Sequence, residues 1–320
     1  MVVWKPIVML FMLPLTAAAH AQQYPSRPLR LVVPAPPGGG TDILGRMVGQ
    51  KLSETLRQQI IIDNRSGASG MIGSEIVARA DPDGHTLLIS FTTHVTNPSL
   101  FPKMPYDTVR DFAPVAMVGV IPSVLVLHPS IPSQSVRDFI AYAKERPGKL
   151  NYGSAGSGSA THLSTVLFNS MTGTRMVHVP YKGSAPALTD LLAGQLSLMF
   201  GNMASAMPHV RGGKLRALAV TSARRSAAAP DLPTMAESGL PGYEATAWFA
   251  LFAPARTPAT IVGKLNAEVN ALLNLPDVKE RMLGLGADAI PMTPHELGGY
   301  VAAEIVKWGK LIKASGAKAD

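Results

Sequence analysis

Three clusters of small, uncharged residues carry the donors with which this chain could do chemistry: Gly38-Gly39-Gly40-Thr41-Asp42, Ser66-Gly67-Ala68-Ser69-Gly70 and Gly153-Ser154-Ala155-Gly156-Ser157-Gly158-Ser159. Each follows a strand-like run, Leu31-Val32-Val33, Ile60-Ile61-Ile62 or Tyr152, and each leads into a segment of helical spacing. A strand that ends in small residues and opens a helix leaves several backbone N–H groups unpaired and projecting from the turn, where they suit an anion. Together with a fourth segment, 181–184, they predict a site that holds carboxylate or phosphate without Arg or Lys. Any one turn is also what a tight strand-to-helix connection requires, so it is their number that carries the reading.

Enzyme signatures fail on specific residues. Gly40-Thr41-Asp42-Ile43-Leu44-Gly45 has the spacing of a phosphate-gripping loop, but Arg46-Met47 stand where its Lys and Ser/Thr belong. Gly38 and Gly40 lack the third Gly, at 43, of a dinucleotide fingerprint, and no G-x-S-x-G elbow surrounds Ser154, Ser157 or Ser159. His295-Glu296 is not followed by a second His, and no other His/Cys/Asp/Glu grouping has metal-ligand spacing, so no metal or cofactor is expected. His162, close behind Ser154, Ser157 and Ser159, leaves a secreted Ser/His hydrolase as the competing class, with no nameable third member. The other reading of His162 is that it orders the Gly/Ser loop by hydrogen bonding from the first helical turn. His178 alternates with apolar neighbours and reads as structural. Asp42 and Asn64 flank turns and read equally well as caps or as ligand contacts.

The elements that must position these turns are legible in outline. Lys5, the apolar stretch 7–15 and the small residues ending in Ala19-His20-Ala21 read as a signal peptide over 1–21, with the mature chain starting at Gln22. The roughly 300 residues that follow exceed the 100–150 most common for one domain, which predicts two lobes. An exported chain without Cys must be stabilised by packing alone, which points to a bacterial periplasm. The net charge of +8 is spread thinly, and the densest pair, Arg224-Arg225, lies in Ala-rich sequence, so no nucleic-acid face is expected.

Strand and helix patterns alternate from 29 to 89, which means a mostly parallel sheet with helices on its faces. Two apolar runs between 115 and 127, broken at Ile121-Pro122-Ser123, precede a restart: helices over 135–144, 161–171 and 185–192, and strands over 150–152, 176–179, 196–200 and 215–220. An aromatic run at 248–252 and three helices, 258–273, 276–283 and 294–314, close the chain. That all-helical tail must pack back on the first lobe. Lobe one is therefore expected to comprise 22–123 and 245–320, and lobe two 124–244, with a hinge made by two crossings near 121–124 and 244–247.

Tyr24-Pro25, Gly39-Gly40-Thr41-Asp42, Asn64-Arg65-Ser66-Gly67-Ala68-Ser69-Gly70, Pro82-Asp83-Gly84-His85-Thr86-Leu87, Pro105-Tyr106-Asp107, Asn151-Tyr152-Gly153-Ser154, His178-Val179-Pro180-Tyr181-Lys182-Gly183 and Leu240-Pro241-Gly242-Tyr243 follow one another along the chain. In this order it resembles the substrate-binding proteins of the tripartite tricarboxylate transporter family, the Bug-type periplasmic receptors. The resemblance implies an α/β Venus-flytrap fold of two lobes, each a mainly parallel sheet flanked by helices. It further implies capture of a small organic carboxylate by amides, hydroxyls and water, and delivery to membrane transporter subunits. By position it assigns ligand contact to Gly40, Thr41, Asp42, Gly67, Ala68, Ser69, Gly70, Ser154, Ser157, Thr161, Tyr181 and Ser184. Asn202 joins them: many relatives look acidic there, and its neutral amide offers nothing to a ligand ammonium, which favours a mono- or dicarboxylate over an amino acid. A monomer is expected.

Overall fold

The computed structural model describes Met1 and residues 24–315 except Lys182, so the expected signal peptide lies, Met1 apart, outside the described residues. The first half of the chain runs β1 (Leu29–Val33), α1 (Gly40–Leu56), β2 (Ile60–Asn64), a 3₁₀ turn (Ala68–Gly70), α2 (Met71–Ala78), β3 (Thr86–Phe91), α3 (Thr93–Leu100) and β4 (Phe112–Leu127). Then follow α4 (Val136–Lys144), β5 (Asn151–Ser154), α5 (Ala160–Thr172), β6 (Val177–Pro180), α6 (Ser184–Leu192), β7 (Leu198–Asn202), α7 (Met203–Arg211) and β8 (Arg216–Val220). The chain ends in β9 (Thr246–Pro254), α8 (Ala259–Leu272), α9 (Pro276–Gly284) and α10 (Pro294–Ser315). No helix among the described residues is long and apolar enough to cross a membrane.

The strands lie in the order β2-β1-β3-β9-β4-β7-β5-β6, with β8 also paired to β4. The outer strands are parallel on both sides, β2-β1-β3 and β6-β5-β7, as alternation with helices requires. The strands at the centre are antiparallel: β9 to both β3 and β4, and β4 to both β7 and β8. The architecture is therefore mixed, with the parallel part confined to three strands on each side.

The two apolar runs expected between 115 and 127 are one strand. What breaks at Pro122 is the partner: β4 pairs with β9 up to Pro122↔Thr246, and from Ser123↔Asn202 onward with β7 and β8. Pro122 has no N–H to give a ladder, and it stands on the last rung of the β9 pairing. Ser123 continues on the other side, donating its N–H to Thr221 Oγ1 at 2.8 Å and accepting the Thr221 N–H at 2.9 Å.

One buried cluster packs β1, α1, α8 and α9 around Leu31, Leu44, Val48 and Leu265, and another packs α6, α7, β7 and β8 around Leu191, Met199 and Val220. The largest runs from Leu88 and Trp248 through Leu125 to Phe168 and Phe200, across the partner change. Of the C-terminal helices, α8 packs on α1 and β4, and α10 on α3 and β4. α10 also reaches α5, so one helix touches both sides of the sheet. Its buried Glu304 accepts the Trp308 indole N–H at 2.6 Å, which fixes the ring inside that shared core.

Helix ends follow local chemistry. Ser135 and Ser159 cap α4 and α5 by accepting the N–H groups of Asp138 (3.1 Å) and His162 (3.3 Å), and Asn202 caps α7 by accepting that of Ala204 (2.9 Å). The sequence patterns miss α3 and α7. Both are short and carry an internal proline, Pro98 and Pro208, that reads as a break.

Candidate functional site

Two adjoining cavities open where β4 changes partners. One, of 220 Å³, is lined by Ser69, Phe91, Thr92, Thr93, Asn97 and Leu100 from one side and by 157–160, with Ala247 and Phe249 of β9. The other, of 180 Å³, is lined by 121–123, Ala155, 159–161, Ser184, Asn202 and Ala247. Ser159, Ala160 and Ala247 belong to both, so the two are compartments of one cleft.

The starts of α3, α5, α6 and α7, and the 3₁₀ turn, all border this space. Ala160 and Thr161 carry the first two N–H groups of α5, and Ser184 the first of α6, which a helix cannot pair internally. No described residue lining either compartment is charged. The cleft thus offers amide and hydroxyl donors and the positive ends of helix dipoles, an arrangement that stabilises a small anion.

The residues singled out in the sequence divide into two groups. Ser69, Ser157, Thr161, Ser184 and Asn202 line the cleft. Gly40 lines neither compartment but packs against its wall: a Cβ there would meet Phe249 at 3.6 Å and Ile121 at 3.9 Å. Gly67, Ala68 and Gly70 frame Ser69 with positive φ angles of 126°, 46° and 85°. Ser69 itself has φ 53°, and Asn97 holds the turn by donating to the Ser69 carbonyl at 3.0 Å. Two consecutive non-glycine residues in the left-handed region are a strained arrangement of the kind found at ligand clamps. Thr41 is buried in the first turn of α1 and lines neither compartment.

Asp42, Ser154 and Tyr181 line neither compartment, and their side chains make hydrogen bonds within the chain. The Asp42 carboxylate is buried and accepts from Gly38 N–H (2.9 Å), Arg46 Nε (3.0 Å) and Asn64 Nδ2 (2.9 Å), so it ties the Gly-rich loop to α1 and β2. Burial works to raise its pKa, but the hydrogen bonds from Arg46, Gly38 and Asn64 outweigh it and hold the carboxyl below its ordinary value. Ser154 is fully buried, its Oγ 2.6 Å from His178 Nε2 and accepting the Gly156 N–H at 3.1 Å. Tyr181 donates its hydroxyl to Asp190 at 2.6 Å, and that bond, with burial, pushes its pKa up to about 12.

His162 does order the Gly/Ser loop: its Nδ1 accepts the Gly158 N–H at 3.1 Å, and its ring stacks on His178 with centroids 4.0 Å apart. Ser154 Oγ lies against His178 Nε2, and neither residue lines the cleft. Thr161 Oγ1 accepts from Ala155 N–H at 2.9 Å and lies 3.1 Å from Ser159 Oγ, which keeps the loop folded over the start of α5.

The sequence reading missed the walls at Phe91, Thr92, Thr93, Asn97, Leu100, Ser123 and Phe249. A signal was present for two of them, Thr92 and Thr93. Thr86-Leu87-Leu88-Ile89 followed by Thr92-Thr93 is a fourth apolar run ending in hydroxyl residues, with the same form as the three that were read.

The model of the tripartite tricarboxylate transporter family receptor matches residues 44–317. The chain belongs to that family. Three solved structures are similar to it over most of its length. An R. palustris protein with adipate is 42% identical, with a TM-score of 0.78, over 93% of this chain and 100% of that one. MatC from Rhodopseudomonas palustris, with bound malate, is 37% identical, with a TM-score of 0.74, over 90% and 100%. The periplasmic binding protein BugD is 35% identical, with a TM-score of 0.75, over 93% and 100%. The fold of this receptor is accordingly the two-lobed α/β type of periplasmic binding proteins.

Proposed function

We propose that this receptor captures a small organic carboxylate in the cleft and presents it to membrane transporter subunits, acting in the periplasm as a monomer without catalysis. The lobes are 22–123 with 245–320, and 124–244, hinged where β4 changes partners and where β9 begins. One observation carries the reading: helix starts from both sides of that change meet at one cleft whose described lining has no charge. An uncharged amide and hydroxyl lining suits a carboxylate, and the neutral Asn202 lacks the carboxylate that would attract a ligand ammonium, so a mono- or dicarboxylate is preferred to an amino acid. The relatives solved with adipate and malate support the same class.

Magnitudes require the lobes to close. A helix N-terminus contributes about 0.3–1 kcal/mol to an exposed anion and up to about 2 when partly buried, whereas micromolar affinity needs about 8 kcal/mol. The balance comes from charge-assisted hydrogen bonds strengthened as water is shut out. Gly158 marks the closing contact: with φ +76°, a Cβ there would come within 2.7 Å of Leu100 on the opposite wall.

Thermal-shift screening of ligand-stripped protein tests this directly. Ligand at about 100 times its dissociation constant adds about 2.7 kcal/mol of stability. An organic acid is expected to raise the melting point and amino acids to leave it unchanged. No shift with any acid, or a shift with amino acids alone, would refute the assignment.

A further inference from the structure

Resting on the two-lobe reading above, we infer that the segment joining α9 to α10 is a clasp between the lobes. Held on the first lobe, it grips the second through Gly286 and Asp288 and so stabilises the closed cleft, whether or not a ligand is present.

The segment is anchored on the first lobe. Asp288 forms an antiparallel bridge with Val120 of β4, donating its N–H to the Val120 carbonyl at 2.8 Å and accepting the Val120 N–H at 2.9 Å. Further on, the Met292 carbonyl accepts from Asn266 Nδ2 of α8 at 2.8 Å. The backbone passes β4 so closely that a Cβ at Gly119 would meet the Asp288 carbonyl oxygen at 2.7 Å. Val120 stands two residues before Pro122, where β4 changes partners, so the clasp is fixed beside the hinge.

From these anchors it reaches the second lobe twice. Gly286, at φ 66°, lies against the start of α7, where a Cβ would meet Met203 Cβ at 2.9 Å. Met203 follows Asn202, which caps α7 and lines the cleft, so the contact supports an element of the site. The Asp288 carboxyl is half-buried; burial pushes it above its ordinary pKa, against the Ala227 N–H and the Ser226 hydroxyl that face it. A cavity of 330 Å³ borders the contact at Gly286 and another of 550 Å³ runs along 288–291, with Ala227 lining both. The lobes can therefore part here without opening a packed core. In the same conformation the cleft walls meet at Gly158 and Leu100. Contacts made together in one conformation stabilise it together, and a ligand that needs that conformation loses apparent affinity in proportion as its population falls.

Interlobe distances test the clasp. The chain has no Cys, so Thr55→Cys in α1 and Lys144→Cys in α4, both exposed, place one spin label on each lobe. Double electron–electron resonance of stripped protein is expected to show a shorter and a longer distance, with adipate or malate increasing the shorter. Asp288→Ala and Gly286→Ala should each reduce the shorter population of stripped protein at least threefold, and Asp288→Asn, which keeps an acceptor for the two donors, should restore most of it. By calorimetry, Asp288→Ala should weaken each of these acids that binds the wild type by one common factor of at least three. A wild type that shortens with ligand while Asp288→Ala keeps the wild-type distribution would overturn the clasp and leave the two-lobed receptor standing. A single interlobe distance in the wild type, the same with and without either acid, would remove lobe closure and this inference with it.

Discussion

Asp42→Asn separates a structural carboxylate from a ligand contact. Asp42 receives three donors, from Gly38, Arg46 and Asn64, at 2.9–3.0 Å. The Asn side chain keeps one acceptor oxygen and turns the other position into an N–H₂ that faces donors. Hydrogen bonds to a charged group contribute about 1.5–3 kcal/mol each. The Arg46 share is discounted because that side chain is half exposed, and such pairs contribute about 0–1 kcal/mol. A loss of about 2–4 kcal/mol of stability follows for the variant, and each kcal/mol lowers the melting point about 2–4 °C for a domain of 150–250 residues. The pH sign also follows. Because the folded carboxyl lies below its unfolded value of about 3.9, its contribution is present above that pH and fades as pH falls through the lowered folded value. The gap between wild type and variant should therefore close in acid. Paired thermal melts across pH, with carboxylate affinity measured alongside, make the assay. An unchanged melting point with affinity altered more than tenfold would refute the structural role and return Asp42 to the ligand.

Asn202→Asp keeps an equally good helix cap but places a negative charge in the smaller compartment. Two like charges about 4 Å apart interact by about 4 kcal/mol at an effective dielectric of 20, so carboxylate affinity should fall by two orders of magnitude or more in calorimetry with little change in melting point. Gly158→Ala should weaken binding of every carboxylate about tenfold, because its Cβ meets Leu100 across the closing contact and overpacking costs about 1–3 kcal/mol, while the strain of a side chain at φ +76° lowers the melting point; unchanged affinity would remove this loop from the closing contact. His94 is fully enclosed beside Phe112 and Phe252, and burial depresses its pKa to about 3. The unfolded chain takes up its proton near pH 6.5 and the native state does not, so stability should fall by up to about 1.4 kcal/mol per pH unit from about 6.5 downward. Denaturant melts of His94→Phe should lose that slope.

The parts of the site visible in the sequence are those where composition and geometry coincide. Gly156, Gly158 and the Ser/Thr residues around them are small because a strand turns directly into α5, and the same smallness exposes the N–H groups at that turn. Ser69, Ser157, Thr161 and Ser184 could be found on that basis. Asp42, Ser154 and Tyr181 lie in the same motifs, but their side chains are used by the loops themselves, through Gly38, His178 and Asp190. A motif records that a turn is built there and not which of its atoms remain for a guest. Phe91, Leu100 and Phe249 were hidden for another reason: they read as ordinary core residues, and only the pairing of β9 between β3 and β4 brings them to the cleft. A proline looks the same in sequence whether a strand ends or its neighbour does, so Pro122 reads as an interruption between two apolar runs within the expected crossing at 121–124, where the strand itself continues and changes partner.

Amide NMR of isotope-labelled, ligand-stripped protein titrated with a carboxylate tests the central claim most directly. The account predicts saturable shifts at the N–H groups of Ala160, Thr161 and Ser184 on one side and of Ser69 and Thr93 on the other, appearing together in a single binding event. Shifts confined to one side of the β4 partner change, or centred on an Arg or Lys side chain elsewhere on the surface, would contradict it.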